Sequence, residues 1–120
     1  MPDLYRRNFG AAGEERACAF LEEKGFSLIE RNYRAGKTGE IDIIAVKDNL
    51  VVFAEVKSRS SDLYGGGIYS INVSKKKHLK TAARTYLASH PLYDTADYIF
   101  RFDLILVSGD KIEWVDDIIR

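Results

Sequence analysis

Cysteine is almost missing from this 120-residue chain, where Cys18 stands alone. A single thiol excludes an internal disulfide and a zinc site built on thiolates, so any metal must be held by oxygen or imidazole. Prolines number only two, and 46% of the residues are hydrophobic, which is too apolar for a disordered chain. Long hydrophobic runs are missing as well: Arg, Glu, Lys or Asp interrupts every stretch before the ~18 residues a membrane span needs. The opening MPDLYRRNFG lacks the apolar segment of a secretory signal, and the expectation is a cytoplasmic protein. Neither sign of charge dominates. Eighteen basic residues balance eighteen acidic ones, which argues against nonspecific coating of nucleic acid and leaves room for a local basic patch. The length suits one domain, residues 1–120, around one core.

The hydrophobic period divides the chain into a helix, three strands, a helix and two strands. The first helix is expected from about Phe9 to Lys24, stopping at Gly25. Strands are expected over Phe26 to Tyr33, Glu40 to Val46 and Leu50 to Ser58. Gly65, Gly66 and Gly67 mark the Ser60 to Ser70 stretch as a surface loop. A second helix opens near Asn72 or Ser74 and closes at Ser89 before Pro91. Tyr98 to Val107 and Lys111 to Val115 form a last hairpin around Ser108-Gly109-Asp110. The order αβββαββ predicts an α+β domain of three-layer type, with helices packed on a mixed central sheet.

The most informative stretch is GEIDIIAVKDNLVVFAEVKSR, residues 39 to 59. Its two apolar runs meet at Asp48-Asn49, residues that tolerate the positive φ of a tight turn. With those two as the loop, pairing positions sum to 97: Asp42 falls opposite Glu55, Glu40 opposite Lys57, Ile44 opposite Phe53 and Val46 opposite Val51. Opposed side chains in an antiparallel pair sit about 4.5 to 5.5 Å apart, so two carboxylates there repel unless a cation bridges them. Mg²⁺ or Mn²⁺ is the natural bridge. The other side of the hairpin, Ile41, Ile43, Ala45, Val52, Ala54 and Val56, is wholly apolar and must be covered. An arbitrary E-x-K in a strand is an ordinary solvated ion pair. Here the charged end continues an apolar stripe, which places it at the rim of a cleft.

A third acid comes from the first helix. At ~100° per residue Glu14 points with Cys18, Leu21 and Ala17, on the face that packs against the sheet. An inward carboxylate needs a cation or a hydrogen-bond network; the alternative is a capping or salt-bridged role near the helix start. The second helix adds charge of the other sign. No Asp or Glu occurs from Leu63 to Tyr93, whereas Lys75, Lys76, Lys77, Lys80 and Arg84 do. Leu79, Ala82, Ala83, Tyr86 and Leu87 make its buried face, with Lys77, Lys80 and Arg84 opposite. Lys75 lies on the inward side in the first turn, where a cation opposes the helix dipole and a nucleic-acid phosphate would compensate it. A solvated basic face that aids solubility is the alternative for Lys77, Lys80 and Arg84.

Acids and a lysine beside a basic helix meet the needs of metal-assisted phosphodiester hydrolysis. The carboxylates hold a divalent ion that polarises the phosphate and acidifies a water, and the ammonium positions that water or stabilises the transition state. Glu14, Asp42 and Glu55-Val56-Lys57 resemble the PD-(D/E)xK nuclease superfamily in order and strand position, with Ile41-Asp42 in place of the literal Pro-Asp. More closely, G-E at 13 to 14, GEIDIIA at 39 to 45, FAEVKSR at 53 to 59 and RFDLILV at 101 to 107 resemble the small bacterial YraN-type family, whose core is similar to archaeal Holliday-junction resolvases. The resemblance implies a restriction-endonuclease-like core, dependence on Mg²⁺ or Mn²⁺, and a branched or structured DNA substrate. It further implies that Asp42, Glu55 and the Val56 carbonyl bind the metal, that Lys57 is the catalytic lysine, and that Glu14 is a further ligand or orienter. Resolvases cut two strands symmetrically, which suggests a homodimer. The rival reading is a nucleic-acid-binding module that keeps an idle nuclease core; a third is an interaction scaffold.

Other residues carry smaller expectations. His78 and His90 read as exposed helix residues, Cys18 as core and Trp114 as a cover for the sheet end. Asp103 beside Arg101 reads as an internal ion pair, with a catalytic role as the alternative. Tyr64 and Tyr69 flank the glycines and read as turn packing, with base stacking the alternative.

Overall fold

The computed structural model describes residues 2–37, 39–59 and 73–119. The elements follow the expected order: α1 (Pro2–Glu23), β1 (Ser27–Arg34), β2 (Glu40–Lys47), β3 (Leu50–Arg59), α2 (Val73–Ser89), β4 (Ile99–Ser108) and β5 (Lys111–Val115). The Ser60 to Ser70 stretch with its glycines, Tyr64 and Tyr69, and the candidate cap Asn72, lie outside the described residues. The first helix starts earlier than its apolar period suggested, at Pro2 rather than Phe9. A fixed φ near −65° and a missing N–H suit proline to a helix's first turn. Its other end is as read. Gly25 takes φ +97°, the Phe26 N–H donates to the Leu21 carbonyl and the Gly25 N–H to that of Glu22, both at 3.0 Å. This is a Schellman ending, and Phe26 and Leu21 supply its apolar contact in one cluster.

The five strands lie in sequence order, β1-β2-β3-β4-β5, in a single sheet. β3 and β4 run parallel and the other neighbours antiparallel, so the sheet is mixed. A parallel pair needs a crossover, and α2 lies in the one between β3 and β4. Alternation of side chains gives the sheet two apolar faces. Ala17, Cys18 and Leu21 of α1 pack with Ile43, Ala45, Val52, Ala54, Ile105 and Val107. Leu79, Ala82, Ala83, Tyr86 and Leu87 of α2 pack with Ile44, Val51, Phe53, Leu104 and Leu106. The result is an α+β fold in three layers, with the central sheet flanked by helices. Each fully buried Leu, Ile or Phe contributes about 1.5 to 3 kcal/mol, which fixes both helices against β2 and β3.

The β2–β3 hairpin has the expected register. Lys47 pairs with Leu50, Val46 with Val51, Ala45 with Val52, Ile44 with Phe53 and Ile43 with Ala54, leaving Asp48 (φ +54°) and Asn49 as the turn. Ile41 departs from the reading that set it with Ile43 and Ala45, for it packs in the α2-side cluster. The change of face falls where the β2–β3 ladder ends, past Ile43 and Ala54. On β1 the register shifts between Leu28 and Glu30, and Asn32, between the residues that pair with Ile43 and Ile41, takes φ +53°.

Within β4, opposite Ala54 of β3, Asp103 is fully buried. It accepts hydrogen bonds from Arg101 Nε and Nη2, from Trp114 Nε1 (2.8 Å each) and from the Asp117 N–H (2.9 Å). That is the internal ion pair read from the sequence, extended to fasten β5 and the residues after it. Trp114 also meets Phe20 and Phe26 edge-on at 5.8 Å. Cys18 is core, as expected. Its burial pushes the thiol pKa up. His90 is half-buried rather than exposed: its ring stacks 3.9 Å from that of Tyr86 and its Nδ1 lies 2.8 Å from the Tyr86 carbonyl oxygen. His78 is exposed.

Candidate functional site

The acids of the central hairpin stand where its ladder ends. Register pairing runs as far as Ile43 and Ala54; one position further, Asp42 Oδ2 accepts a hydrogen bond from the Val56 N–H at 2.8 Å. The aspartate thus occupies an amide that a continued ladder would have offered to the β2 backbone. Glu55 is buried. Its Oε1 lies 3.2 Å from Lys75 Nζ at the start of α2, and its Oε2 is buried without a hydrogen-bond partner. An orphaned carboxylate oxygen is costly in a native structure and calls for an explanation.

Both carboxyls titrate high. Burial, then the charge of Glu55, pushes Asp42 up to about 7 against the pull of the Val56 N–H, with Glu14 and Glu40 adding to the rise. Burial likewise raises Glu55, opposed first by Lys75 and then by Lys57, whose side chain is exposed. Asp42 and Glu55 therefore share one poorly solvated place and resist carrying two negative charges together.

Glu14 reaches this neighbourhood from the other helix. A Cβ at Gly13 would run into the Ser58 side chain, so the glycine is what lets α1 lie close over the end of β3. Glu14 is half-buried (20% exposed side chain), with its Oε2 3.6 Å from Arg31 Nη2. Arg31 also holds Glu15 at 2.6 Å. Glu14 is thus salt-bridged, the alternative left open by the sequence, while its charge still acts on Asp42. Among the described residues no group of three or more His, Cys, Asp or Glu side chains is placed to hold a metal ion. What the structure brings together is the pair Asp42 and Glu55 with Lys75.

On α2, Lys77, Lys80 and Arg84 are exposed, Lys76 is half-buried, and the Lys75 side chain keeps 34% of its surface exposed. Lys80 and Arg84 edge an apolar hollow formed with Phe100 and Phe102. Beside Lys75 lies an open cleft of about 440 Å³ that the sequence did not announce, walled by the β1–β2 turn on one side and α2 on the other.

No helix among the described residues is long and apolar enough to cross a membrane. Comparison with known proteins places the chain in one family. The profile of "Uncharacterised protein family UPF0102" matches residues 13–107, a span that opens on Gly13-Glu14 and holds Asp42, Glu55, Lys57 and all of α2. Similar relatives include the UPF0102 protein NE0719 of Nitrosomonas europaea, 44% identical over 111 residues covering 90% of each chain. The UPF0102 protein CPE1705 of Clostridium perfringens is 40% identical over 104 residues, 87% of this chain and 82% of its own. A UPF0102 protein of Halorhodospira halophila is 39% identical over 114 residues, 95% of this chain and 88% of its own. Agreement of this extent with chains from such different bacteria shows that this chain belongs to UPF0102, the YraN family.

Proposed function

We propose that the protein is a metal-dependent DNA endonuclease that hydrolyses phosphodiesters in branched or structured DNA. The observation that carries the reading is the Asp42–Glu55 pair, in which one carboxyl titrates near 7 and the other keeps a buried oxygen without a partner. Hard oxygen donors of this kind suit Mg²⁺ or Mn²⁺, which take one or two carboxylates and leave their remaining positions to water and phosphate. Asp42, Glu55 and the Val56 carbonyl are the groups that would hold the ion, and Glu14 would orient them. When bound, the ion supplies Lewis-acid polarisation of the phosphate and a more acidic water. The chain's own part is electrostatic. Lys57, exposed at the end of β3 and acting on Glu55, would place its ammonium beside the phosphate where charge develops, and the lysines of α2 would hold the DNA backbone.

The Lys75–Glu55 ion pair favours a second reading, because an ammonium already occupies part of the space a metal's charge would fill. On that reading the fold binds nucleic acid and does not cut it. The test is cleavage of labelled four-way junctions, flaps and duplexes with Mg²⁺ or Mn²⁺, using wild type, Asp42→Asn and Lys57→Ala. A nuclease loses cutting in both variants and keeps its DNA affinity. Failure of the purified wild type to cut any DNA form with either metal would sink the nuclease reading.

A further inference from the structure

The cleft beside Lys75 is built from two segments far apart in sequence. Arg34, Lys37 and Glu40 come from the β1–β2 turn and its flanks, Lys75 and His78 from the first turns of α2. The glycines decide its shape. The Ala35 N–H donates to the Gly39 carbonyl at 2.9 Å, closing the turn. A Cβ on Gly39 would stand 2.6 Å from the His78 carbonyl oxygen and 2.9 Å from the Ala82 Cβ, so the turn lies flush against α2. Gly36 has open space above it.

Among the described residues the lining holds no apolar side chain, which is unlike the apolar pockets that take most small organic ligands. The charges of its described lining are those of Arg34, Lys37 and Lys75 against the carboxylate of Glu40, which lies 4.0 Å from Arg34 Nη2. The Arg34 side chain is 76% exposed and presents its planar fork to solvent. Guanidinium and ammonium groups around an open, glycine-floored hollow are suited to a phosphate. Lys75 lines the cleft and is also the partner of Glu55, so the hollow opens directly beside the acid pair. We propose that this cleft is a second phosphate subsite, in which Arg34 and Lys37 hold a backbone phosphate of the same DNA strand next to the phosphodiester addressed by Asp42 and Glu55. The assignment rests on the nuclease reading and adds to it residues that belong to neither the acid pair nor the exposed face of α2.

The experiment is equilibrium binding of a fluorescein-labelled four-way junction in EDTA, by anisotropy, between about 50 and 200 mM salt. The chains compared are wild type, Arg34→Ala, Lys37→Ala, the double variant, Arg34→Lys, and Lys111→Ala from the distant β4–β5 hairpin. Each phosphate contact removed should lower the slope of log K against log[salt] by about one, so the double variant should lose about two while Lys111→Ala keeps the wild-type slope. Arg34→Lys should restore the slope lost in Arg34→Ala, as a merely structural role would not require. An unchanged slope in the double variant overturns the subsite. If wild type cuts DNA and the slopes do not move, the subsite alone falls. If the slopes fall as expected but no DNA is cut, the subsite stands and hydrolysis falls. If wild type neither binds nor cuts DNA, both fall.

Discussion

Replacing Asp42 by Asn tests whether the acid pair is a place that resists charge. The substitution keeps the side chain's shape and leaves an amide oxygen able to accept the Val56 N–H bond of 2.8 Å, so the main change is loss of an ionisable carboxyl. That carboxyl has its pKa raised from 3.8 to about 7, first by burial and then by Glu55. Because the folded value lies above the unfolded one, the native state holds the proton more tightly and is favoured at low pH. Stability falls as pH rises from about 4 to about 7 and levels off above. Three pH units at about 1.4 kcal/mol each set a ceiling of ~4 kcal/mol, and partial solvent access to Asp42 reduces this to about 2. In metal-free protein, Asp42→Asn should therefore gain on wild type as pH rises, by about 2 kcal/mol between pH 4 and pH 8. For a domain of this size that is a rise in Tm of very roughly 5 to 12 °C. Thermal unfolding followed by circular dichroism in EDTA reads the difference. Excess Mg²⁺ or Mn²⁺ should raise the wild-type Tm at pH 8 and leave the variant nearly unmoved. A constant gap between the two chains across this pH range would refute the reasoning, because Asp42 would then be an ordinary solvated carboxylate.

Three further perturbations address the surroundings. Lys75→Met removes the partner of Glu55 Oε1 and should destabilise by about 1 to 3 kcal/mol; Glu55 then titrates higher still, so the loss should be larger at pH 8 than at pH 5 in urea melts, and equal losses at both would count against the pairing. Gly39→Ala, whose Cβ meets the His78 carbonyl oxygen at 2.6 Å, should cost about 1 to 3 kcal/mol through overpacking, checked by chemical denaturation; a neutral effect would mean that the turn does not press on α2. Asp103→Ala leaves the Arg101 and Trp114 donors without their acceptor and should cost about 3 to 5 kcal/mol, with a shift in emission from the chain's single tryptophan. Unaltered Trp114 fluorescence and stability would dismiss that network as a fastener.

Strand ends, turns and helix faces were legible because each rests on local chemistry. Gly25 and Gly109 take the positive φ their positions demand, Asp48-Asn49 turns with its flanks in the 97 register, and the buried residues of α2 are those its period selects. The start of α1 was not legible, since residues before Phe9 carry no apolar period to mark a face and a helix can continue without one. Ile41 was misplaced because alternation assumes an unbroken strand, and nothing in ERNY distinguishes an asparagine at positive φ from one in an ordinary strand. His90 escaped for a different reason: a residue after a helix end is exposed by period, yet its ring turns back onto Tyr86. The register brought Asp42 and Glu55 to one end of the hairpin, yet not as a directly opposed pair, because the ladder stops at Ile43 and Ala54. The cleft was not legible, because Arg34 and Lys37 meet Lys75 and His78 only after the β1–β2 turn is laid against α2, and no local pattern encodes that approach.

The break in the sheet and the acid pair are one feature seen from two sides. Continued in register beyond Ile43 and Ala54, the hairpin would have satisfied the Val56 N–H with backbone and set two carboxylates face to face over apolar neighbours, an arrangement with nothing to offset their repulsion. Where pairing ends, the two neighbouring acids take different partners. Asp42 turns to the vacated amide, while Glu55 reaches Lys75 across the first turn of α2. Each acid then has one favourable polar contact, an amide for Asp42 and an ammonium for Glu55, and the remaining burden shows as a raised titration on Asp42 and an unmatched oxygen on Glu55. A sheet that merely needed stability would replace both acids with apolar residues, which pack there at no desolvation cost. Their presence in a place so poorly suited to charge is what supports the proposed reading of a ligand that carries positive charge.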